Sequence, residues 1–452
     1  MANFQINESL INQIQEWIRA SEKKALIAQL ESLHYADIAE IVDYLSVEDA
    51  SFILKLIDDE KSADALAELD EDFRLSILQQ LSAKEIAAQV DELDTDDAAD
   101  LILELPEIRQ ERVIEQISDS THAEDIRELI QYDENTAGGL MAKELIKVDE
   151  NLSVTKCLNE IRAQAEEVTR VHSIYVVDQN NILLGRLSLK DLITAKSKSK
   201  VKDIYIPNVD YVTTDENAEE VSKIMSKYDL EAIPVVDEEK KLKGRITIDD
   251  IVDFIKDEAD KDYQLAAGIS TDVEADDSIF ELTKARLPWL FLGLLGGLGS
   301  VFILQDFESI MNLPELRNLF FYTPLIAAMA GNVGVQSSAI IVQGLANDVV
   351  KGSLLSRLIK EVSLSLINGF FLALMLILFG TIVQQDLILS LTIAGSMMGV
   401  IVIAALIGTF VPIILDRRGI DPAIATGPFI TTCNDIFGIF LFFYFAQLVL
   451  GF

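Results

Sequence analysis

Five long apolar segments occupy the final part of the chain and constrain its fold more than any other feature. They cover about 287–305, 319–345, 361–384, 389–414 and 425–450. Each is long enough to cross roughly 30 Å of hydrocarbon as an α-helix. The alternative, five buried helices of a soluble protein, requires every one of these segments to be enclosed in a core. We therefore predict a multidomain membrane protein with five α-helical spans per subunit.

Basic residues in the loops predict the direction of these spans. The loop between the second and third spans carries Lys351, Arg357 and Lys360, and the loop between the fourth and fifth carries Arg417 and Arg418. Cytoplasmic loops are enriched in lysine and arginine. The pattern therefore places the N-terminal part of the chain in the cytoplasm and the C-terminus outside.

The segment before the spans is strongly acidic. Of 74 acidic and 37 basic residues, nine and six stand from Leu287 onward, which leaves 65 and 31 for residues 1–286. Such a surface repels nucleic acid and attracts cations. Cys157 and Cys433, the two cysteines, cannot form a disulfide framework, which suits a cytosolic location for this segment. No nucleic-acid partner is expected, and lipid contacts belong to the spans.

A carboxylate interrupts the fifth apolar segment. Asp435 stands seven residues beyond Pro428, roughly 10 Å into the span, and shares a helical face with Thr431. An intramembrane carboxylate marks an ion or proton path unless it is protonated or paired with a base. No Lys, Arg or His lies deep in any of the five segments. The second span adds Asn332 and Gln336, which line a path or join helices.

The residue types in the spans favour a hard cation. Cys433 is the lone thiol there, and soft metals usually need several sulfur or imidazole ligands. Mg²⁺ is often held by one or two carboxylates while it keeps several waters. A two-fold axis would bring two copies of Asp435 to one hydrated ion. Spacing alone leaves Mn²⁺, Co²⁺ and Ca²⁺ open.

An internal repeat lies between the acidic N-terminus and the spans. The stretch "SIYVVDQNNILLGRLSLKDLI" at 173–193 matches "AIPVVDEEKKLKGRITIDDIV" at 232–252. Each copy reads as helix, strand, turn, strand and helix. The pair resembles tandem cystathionine-β-synthase (CBS) domains. This resemblance implies an α+β fold and leaves two alternatives open: an adenine nucleotide site for ATP, in which Asp191 and Asp250 would hold a ribose, or a pair that binds no nucleotide, as in many members of the CBS family.

Short repeats such as "SAKEIAAQVDEL" and "DTDDAADLILEL" at 82–105 predict an all-α superhelical domain of stacked helices before the CBS pair. Acidic clusters stand where these domains would meet. Divalent cations between them would favour a compact state, and their loss would release repulsion. A solvated charged face is the alternative. The predicted sensor residues are Asp91, Asp94, Asp215, Glu216, Glu219, Asp249, Asp250, Asp253, Asp257 and Glu258. Asp96, Asp97 and Glu220 belong to the same acidic clusters.

Taken together, "YDENTAGGLM" at 132–141, the CBS repeats, and five spans with "GNVGVQSS" and an intramembrane aspartate resemble the MgtE family of magnesium transporters. The resemblance implies a homodimeric Mg²⁺-selective channel in the bacterial inner membrane, closed by cytosolic Mg²⁺. It also implies that Asp435, Asn332 and Asp421 contribute to the pore. Two residues depart from the family pattern, Gly427 before the proline of the fifth span and Val335 in the second span.

The predicted domains are 1–130 (acidic helices), 131–256 (CBS repeats at about 137–200 and 201–256), 257–286 (a connecting "plug" helix, about 257–275) and 287–452 (the spans). Two other functions remain open: a carrier coupled to a Na⁺ or H⁺ gradient, and a membrane-anchored nucleotide sensor without transport. An enzyme is disfavoured, because the three histidines are scattered and no nucleophile motif accompanies them.

Overall fold

The computed structural model describes residues 6–166, 168, 170–271, 273–275, 277–313, 316–346 and 353–451. The predicted loop residue Lys351 therefore lies outside the described residues. The chain divides into two compact units, Met1–Ile255 and Lys256–Phe452. Ten short helices open the first unit: α1 Glu8–Ala20, α2 Lys23–Leu30, α3 Tyr35–Asp43, α4 Val47–Leu54, α5 Asp59–Ala67, α6 Glu71–Gln80, α7 Ala83–Val90, α8 Thr95–Leu103, α9 Glu107–Ile114 and α10 Ser120–Leu129.

Polar caps and small apolar faces explain why these helices are short. Ser82 caps α7 in a reciprocal capping box with Glu85, and Ser46 accepts a hydrogen bond from the Asp49 amide at the start of α4. Most of the helices pack against the second helix along the chain, α3 on α5 and α5 on α7 for example. Their apolar faces form one continuous core that includes Ile53 and Leu66. The predicted domain of stacked helices is confirmed.

The CBS repeats follow, each built from strand, helix, β-hairpin and helix. Strands β1 and β2 pair in parallel and β2 and β3 antiparallel, with β4 at the edge; the second repeat pairs β5, β6 and β7 in the same way. The strands are β1 Ile146–Asp149, β2 Ile174–Val177, β3 Leu183–Leu187, β4 Ile206–Pro207, β5 Val212–Thr213, β6 Ala232–Val236 and β7 Leu242–Thr247; the helices are α11 Val154–Gln164, α12 Leu189–Thr194, α13 Ala218–Tyr228 and α14 Ile248–Ala267.

The stretch 132–141 joins the helical domain to the second CBS repeat. The amides of Ala137 and Gly138 donate hydrogen bonds to the carbonyls of Glu216 and Thr214. A Cβ at Gly138 would collide with the Tyr132 ring, and one at Gly139 would collide with the backbone of Asp133. The two glycines are therefore required by the close approach of the backbone.

The second unit contains five helices long and apolar enough to cross a membrane. They are α15 Ile279–Asp306, α16 Thr323–Ala346, α17 Leu354–Ile382, α18 Leu387–Asp416 and α19 Gly427–Leu450. The core between α16, α18 and α19 includes Val400 and Phe443. The five predicted spans are confirmed, and α15 begins eight residues before the predicted 287, at Ile279.

Helix α14 differs from the predicted plug helix at 257–275. It begins at Ile248, directly after β7, because the amphipathic pattern runs on without a break, and it ends at Ala267. Gly268 follows with φ +81°, and its amide donates to the Leu265 carbonyl while the Ile269 amide donates to the Gln264 carbonyl. A left-handed glycine of this kind is a common helix stop.

Candidate metal sites

Asp435 and Thr431 share the face of α19 that approaches α16. A Cβ at Gly331 of α16 would lie 3.1 Å from Thr431 Cγ2 and 3.4 Å from Asp435 Oδ1. The Thr431 hydroxyl donates to the Gly427 carbonyl at 2.9 Å, so its oxygen lone pairs remain free to accept. Asp435 is only partly buried. A carboxylate and a hydroxyl oxygen are thus presented beside a glycine that leaves room, a donor set that suits a hard cation.

The other two predicted pore residues stand apart from this pair. Asn332 follows Gly331 on α16 and its side chain is exposed on the surface of the second unit. Asp421 is also exposed, and its Oδ1 accepts from the Ala423 amide at 2.7 Å, which caps the short 3-10 helix Pro422–Ala425. The structure brings Asp435 and Thr431 together, and it assigns Asp421 a capping bond.

Sequence reasoning missed two polar side chains among these helices. Asn434 is 1% exposed and is packed against Gly334, and neither its amide oxygen nor its nitrogen has a hydrogen-bond partner among the described residues. Glu361 on α17 accepts a hydrogen bond from the Ser337 hydroxyl at 2.6 Å. Asn434 adjoins Asp435 in sequence but points about 100° away around the helix. The signal for Glu361 was its position as the one acidic residue of α17.

The start of α19 contacts the end of α14. Gly427 has φ +44°, and a Cβ there would collide with the Ala266 carbonyl oxygen. A Cβ at Gly268 would likewise collide with the Pro428 ring. Both contacts lie within the second unit. Gly427, a departure from the resembled family, is thus the residue type that this backbone geometry requires.

An acidic cluster in the first unit is the second candidate site. One carboxylate oxygen each from Asp94, Asp96 and Glu144 lie within 4.8 Å of one another. The Thr95 hydroxyl and amide donate to Glu144 Oε2 at 2.8 and 3.2 Å and hold this carboxylate toward α8. Asp94 occupies the N-cap position of α8, yet its side chain makes no capping bond. Three carboxylates so close repel one another unless a cation or a proton joins them.

Burial and the charges of neighbouring carboxylates raise the pKa values of this cluster. Burial, and then the charge of Glu144, raise the pKa of Asp94 to about 6. Burial raises the pKa of Asp96, and the neighbouring Asp97 and Asp250 raise it further. Burial raises the pKa of Asp100 to about 7, although Asp97 and Asp100 keep solvent-exposed surface at the edge of the cluster. Carboxyls with raised pKa values hold protons that a metal ion would replace.

One basic side chain enters this cluster. Arg245 is 5% exposed, its Nη2 lies 3.8 Å from Asp94 Oδ2, and its Nη1 donates to the Arg170 carbonyl at 3.2 Å. Its positive charge lowers the pKa of Asp94 and Asp250 against the larger effect of burial. Glu144 and Arg245 were missing from the sequence prediction, because each is distant in sequence from α8.

The remaining predicted sensor residues have other settings. The two oxygens of Asp91 accept from the Ser118 amide at 3.0 and 3.1 Å. Glu219 and Glu220 both pair with Lys223, and Glu258 pairs with Lys261. Asp215 is fully exposed and its pKa is lowered by a hydrogen bond from Thr213. Glu216 is partly buried, and Asp249, Asp253 and Asp257 are exposed residues of α14.

The two predicted ribose-binding aspartates differ in their contacts. Asp250 Oδ2 accepts from the amide of Thr247 at 2.8 Å and from its hydroxyl at 2.5 Å. Asp191 stands in the first turn of α12, which Ser188 caps. Asp250 also adjoins the acidic cluster, since its charge raises the pKa of Asp97. The same residue is therefore a candidate for both the nucleotide and the cation.

Three family models match this chain. The model described as a divalent cation transporter, MgtE, matches residues 323–445; the MgtE intracellular N domain matches 33–135; and the CBS domain matches 137–198 and 201–257. The chain is 34% identical over 330 residues to a magnesium transporter MgtE from Enterococcus faecalis, which covers 73% of this chain and 72% of the relative.

Similarity also extends over the full length of a second relative. A magnesium transporter MgtE from Thermus thermophilus is 32% identical over 451 residues, or 98% of this chain and 99% of the relative. Among solved structures, the cytosolic domain of the Mg²⁺ channel MgtE in complex with ATP is 33% identical, with a TM-score of 0.51, and covers 54% of this chain and 99% of that one.

Proposed function

This chain belongs to the MgtE family of divalent cation transporters, and on that premise we propose that it is a channel that carries Mg²⁺ across a membrane. It is a multi-pass membrane protein and a transporter, not an enzyme. The observation that carries the proposal is the pair Asp435 and Thr431, presented together beside Gly331.

Asp435 supplies the charge that a passing ion needs. Its partial exposure in one subunit leaves the carboxylate open toward a second copy of the chain. A homodimer with its axis along the pore would place two carboxylates opposite each other, and Asn332 would line the same path from α16. Two carboxylates and retained waters suit Mg²⁺, which is reluctant to dehydrate. Asp421 would then stand at the cytoplasmic mouth.

The test is Mg²⁺ entry into proteoliposomes that contain a Mg²⁺ dye. Wild type is expected to conduct without a Na⁺ or H⁺ gradient, and Asp435→Asn, which keeps the size but removes the charge, should lower the flux at least tenfold. Asp386→Asn, at the cap of α18, is the matched control that keeps the flux. A strict dependence on a Na⁺ or H⁺ gradient would establish the carrier instead, and equal flux through both proteins would remove Asp435 from the pore.

The acidic cluster of Asp94, Asp96 and Glu144 is the proposed cytosolic Mg²⁺ sensor. The carboxylate donor set fits Mg²⁺, and neutralisation of the mutual repulsion would favour the compact unit. Asp250 joins this cluster, and α14 runs from Asp250 to the contact between Gly268 and Pro428 at the start of α19. In this proposal α14 is the plug that links sensor to pore.

Neutralisation of three acidic residues in the first half of α14 and at its middle tests this link. Asp250→Asn, Asp253→Asn and Glu258→Gln together should raise the cytosolic Mg²⁺ concentration needed for half inhibition several-fold, because Asp250 beside the cluster is neutralised and α14 loses two further negative charges that attract the ion. Patch currents measured against cytosolic Mg²⁺ give this midpoint. An unchanged midpoint would contradict the sensor at this place, while Asp215→Asn with Glu216→Gln tests the distant loop that was also predicted.

Orientation and nucleotide binding complete the proposal. Arg417 and Arg418 follow α18, and Arg357 and Lys360 lie in the first turns of α17, which supports a cytoplasmic N-terminus in a bacterial inner membrane. The likeness to a cytosolic domain crystallised with ATP supports an ATP site at the CBS pair, with Asp191 and Asp250 toward the ribose.

A further inference from the structure

A cavity of about 310 Å³ lies in the first unit between the helical domain and the two CBS repeats. Helix α10 contributes Asp125 and Glu128, and the CBS repeats contribute four lysines, which are Lys143, Lys147, Lys241 and Lys243. The lining includes no member of the acidic cluster and neither aspartate predicted to hold a ribose, although Glu144 of the cluster stands between Lys143 and Leu145 in the chain. It is unusual in this chain, whose acidic residues outnumber its basic ones two to one.

Two of the lysines are explained by the fold. Lys143 Nζ and Lys243 Nζ each lie 3.0 Å from a Glu128 oxygen, so one carboxylate receives two ammonium groups. The Lys143 side chain is only 9% exposed. Taken alone, this arrangement ties α10 to the CBS repeats and leaves one positive charge in excess.

The other two lysines have no such role. Among the described residues, no carboxylate lies within 4.0 Å of Lys147 Nζ, and Lys241 pairs with Glu239, an exposed residue outside the cavity lining. Four lysines therefore line a space whose charges are balanced by Asp125 and Glu128 in the lining and by Glu239 outside it, which leaves one positive charge in excess. An excess of positive charge around a partly enclosed space favours an anion.

We propose that this cavity binds a phosphate-bearing polyanion. Lysine ammonium groups act as point charges toward phosphate oxygens, and several of them can share one polyphosphate. The volume is about ten times that of a water in the liquid, enough for a diphosphate or triphosphate group. The apolar part of the lining is Leu145 and Leu242, without an aromatic ring on which a base could stack. The phosphates are therefore the recognised group.

The bound polyanion would hold the helical domain against the CBS repeats. Lys147 lies on β1 and Lys243 on β7, while Glu128 comes from α10. An anion between the lysines removes their mutual repulsion and leaves the pairs with Glu128 in place. A ligand of the folded state alone stabilises it by mass action. Polyanion binding would thus stabilise the docked first unit independently of Mg²⁺.

The experiment measures inorganic pyrophosphate binding to the full chain in detergent by ³¹P line broadening, in metal-free buffer at fixed ionic strength. Lys147→Ala with Lys241→Ala should weaken binding at least tenfold while both pairs with Glu128 remain. Lys24→Ala with Lys84→Ala, two exposed positions on the helical domain, is the control that removes the same net charge. Absence of binding to wild type, or an equal loss in both variants, would overturn the proposal.

Competition identifies the source of the phosphates. ATP that displaces pyrophosphate while adenosine does not would assign the site to the phosphate tail of a nucleotide. Pyrophosphate binding that ATP leaves unchanged would assign it to inorganic polyphosphate. Displacement by adenosine would contradict recognition through phosphates. Because Mg²⁺ is absent throughout, the result is independent of whether the chain conducts Mg²⁺.

Discussion

At the scale of single residues, Arg245 decides how much repulsion the acidic cluster retains. Its guanidinium is buried beside Asp94, whose side chain is 34% exposed. Loss of one partner of a buried ion pair costs about 3–5 kcal/mol, and the exposure of Asp94 reduces this to about 2 kcal/mol. Arg245→Met should therefore destabilise the first unit in metal-free buffer by about that amount, as measured by chemical unfolding. Mg²⁺ should restore more stability to the variant than to wild type.

The internal repeat provides a matched control for Arg245. Arg186 occupies the equivalent position in the first CBS repeat and is exposed on the surface of its sheet. Arg186→Met should leave both the unfolding midpoint and its response to Mg²⁺ within error. Equal destabilisation by the two substitutions would mean that Arg245 acts through packing alone.

At the scale of elements, the contact between α14 and α19 depends on the shape of the backbone at Gly427. A side chain there incurs about 1–2 kcal/mol of left-handed strain and would also displace the Ala266 carbonyl. We expect Gly427→Ala to separate the end of α14 from the start of α19. In proteoliposomes, high Mg²⁺ on the cytoplasmic side should then inhibit the Mg²⁺ flux of the variant less than that of wild type. Flux at low Mg²⁺ should change little.

Strain and contact can be separated with a second glycine. Gly419 has φ +68°, and a Cβ there would meet no heavy atom within 4 Å. Gly419→Ala should carry the same strain and leave inhibition by Mg²⁺ intact. If Gly419→Ala weakens inhibition by Mg²⁺ as much as Gly427→Ala does, the contact between α14 and α19 has no role in that inhibition.

At the scale of the whole molecule, the acidic first unit should respond to pH and Mg²⁺ in opposite directions. The pKa of Asp94 is raised to about 6 and that of Asp100 to about 7, from 3.8. The folded unit then holds protons that the unfolded chain releases, so this stabilisation is complete below about pH 4 and is lost as pH rises through those values. In metal-free buffer, resistance of the first unit to protease should fall between about pH 5.5 and pH 8.

Addition of Mg²⁺ near pH 8 should recover the lost resistance, because the ion takes the place of the protons. Asp94→Asn with Asp100→Asn is expected to flatten the pH dependence, since these side chains no longer titrate. The same digestion pattern at both pH values, with or without Mg²⁺, would count against compaction by charge neutralisation.

The sequence alone determined the features that depend on local patterns of residues along the chain. Apolar runs, an internal repeat and capped short helices gave five spans, two CBS domains and a helical stack, because each depends on the local periodicity of the chain. The aspartate of the fifth span stood out for the same reason, since one charge in a long apolar run has no local explanation. The predicted plug helix runs to about residue 275, whereas α14 ends at Ala267. Gly268 ends the helix through its positive φ, and the residue type alone does not reveal that angle.

Only the tertiary structure decided which charges meet. Asp91 and Asp94 are neighbours in sequence, yet Asp91 accepts from the Ser118 amide while Asp94 faces Glu144 and Arg245. The same holds for the lysines around the cavity, which come from two segments far apart in the chain, one around β1 and one around β7. Charge interactions depend on distance and burial, and a sequence contains neither. Its acidic composition predicted that cations would be attracted, and the packing of α8 against the CBS repeats determined where.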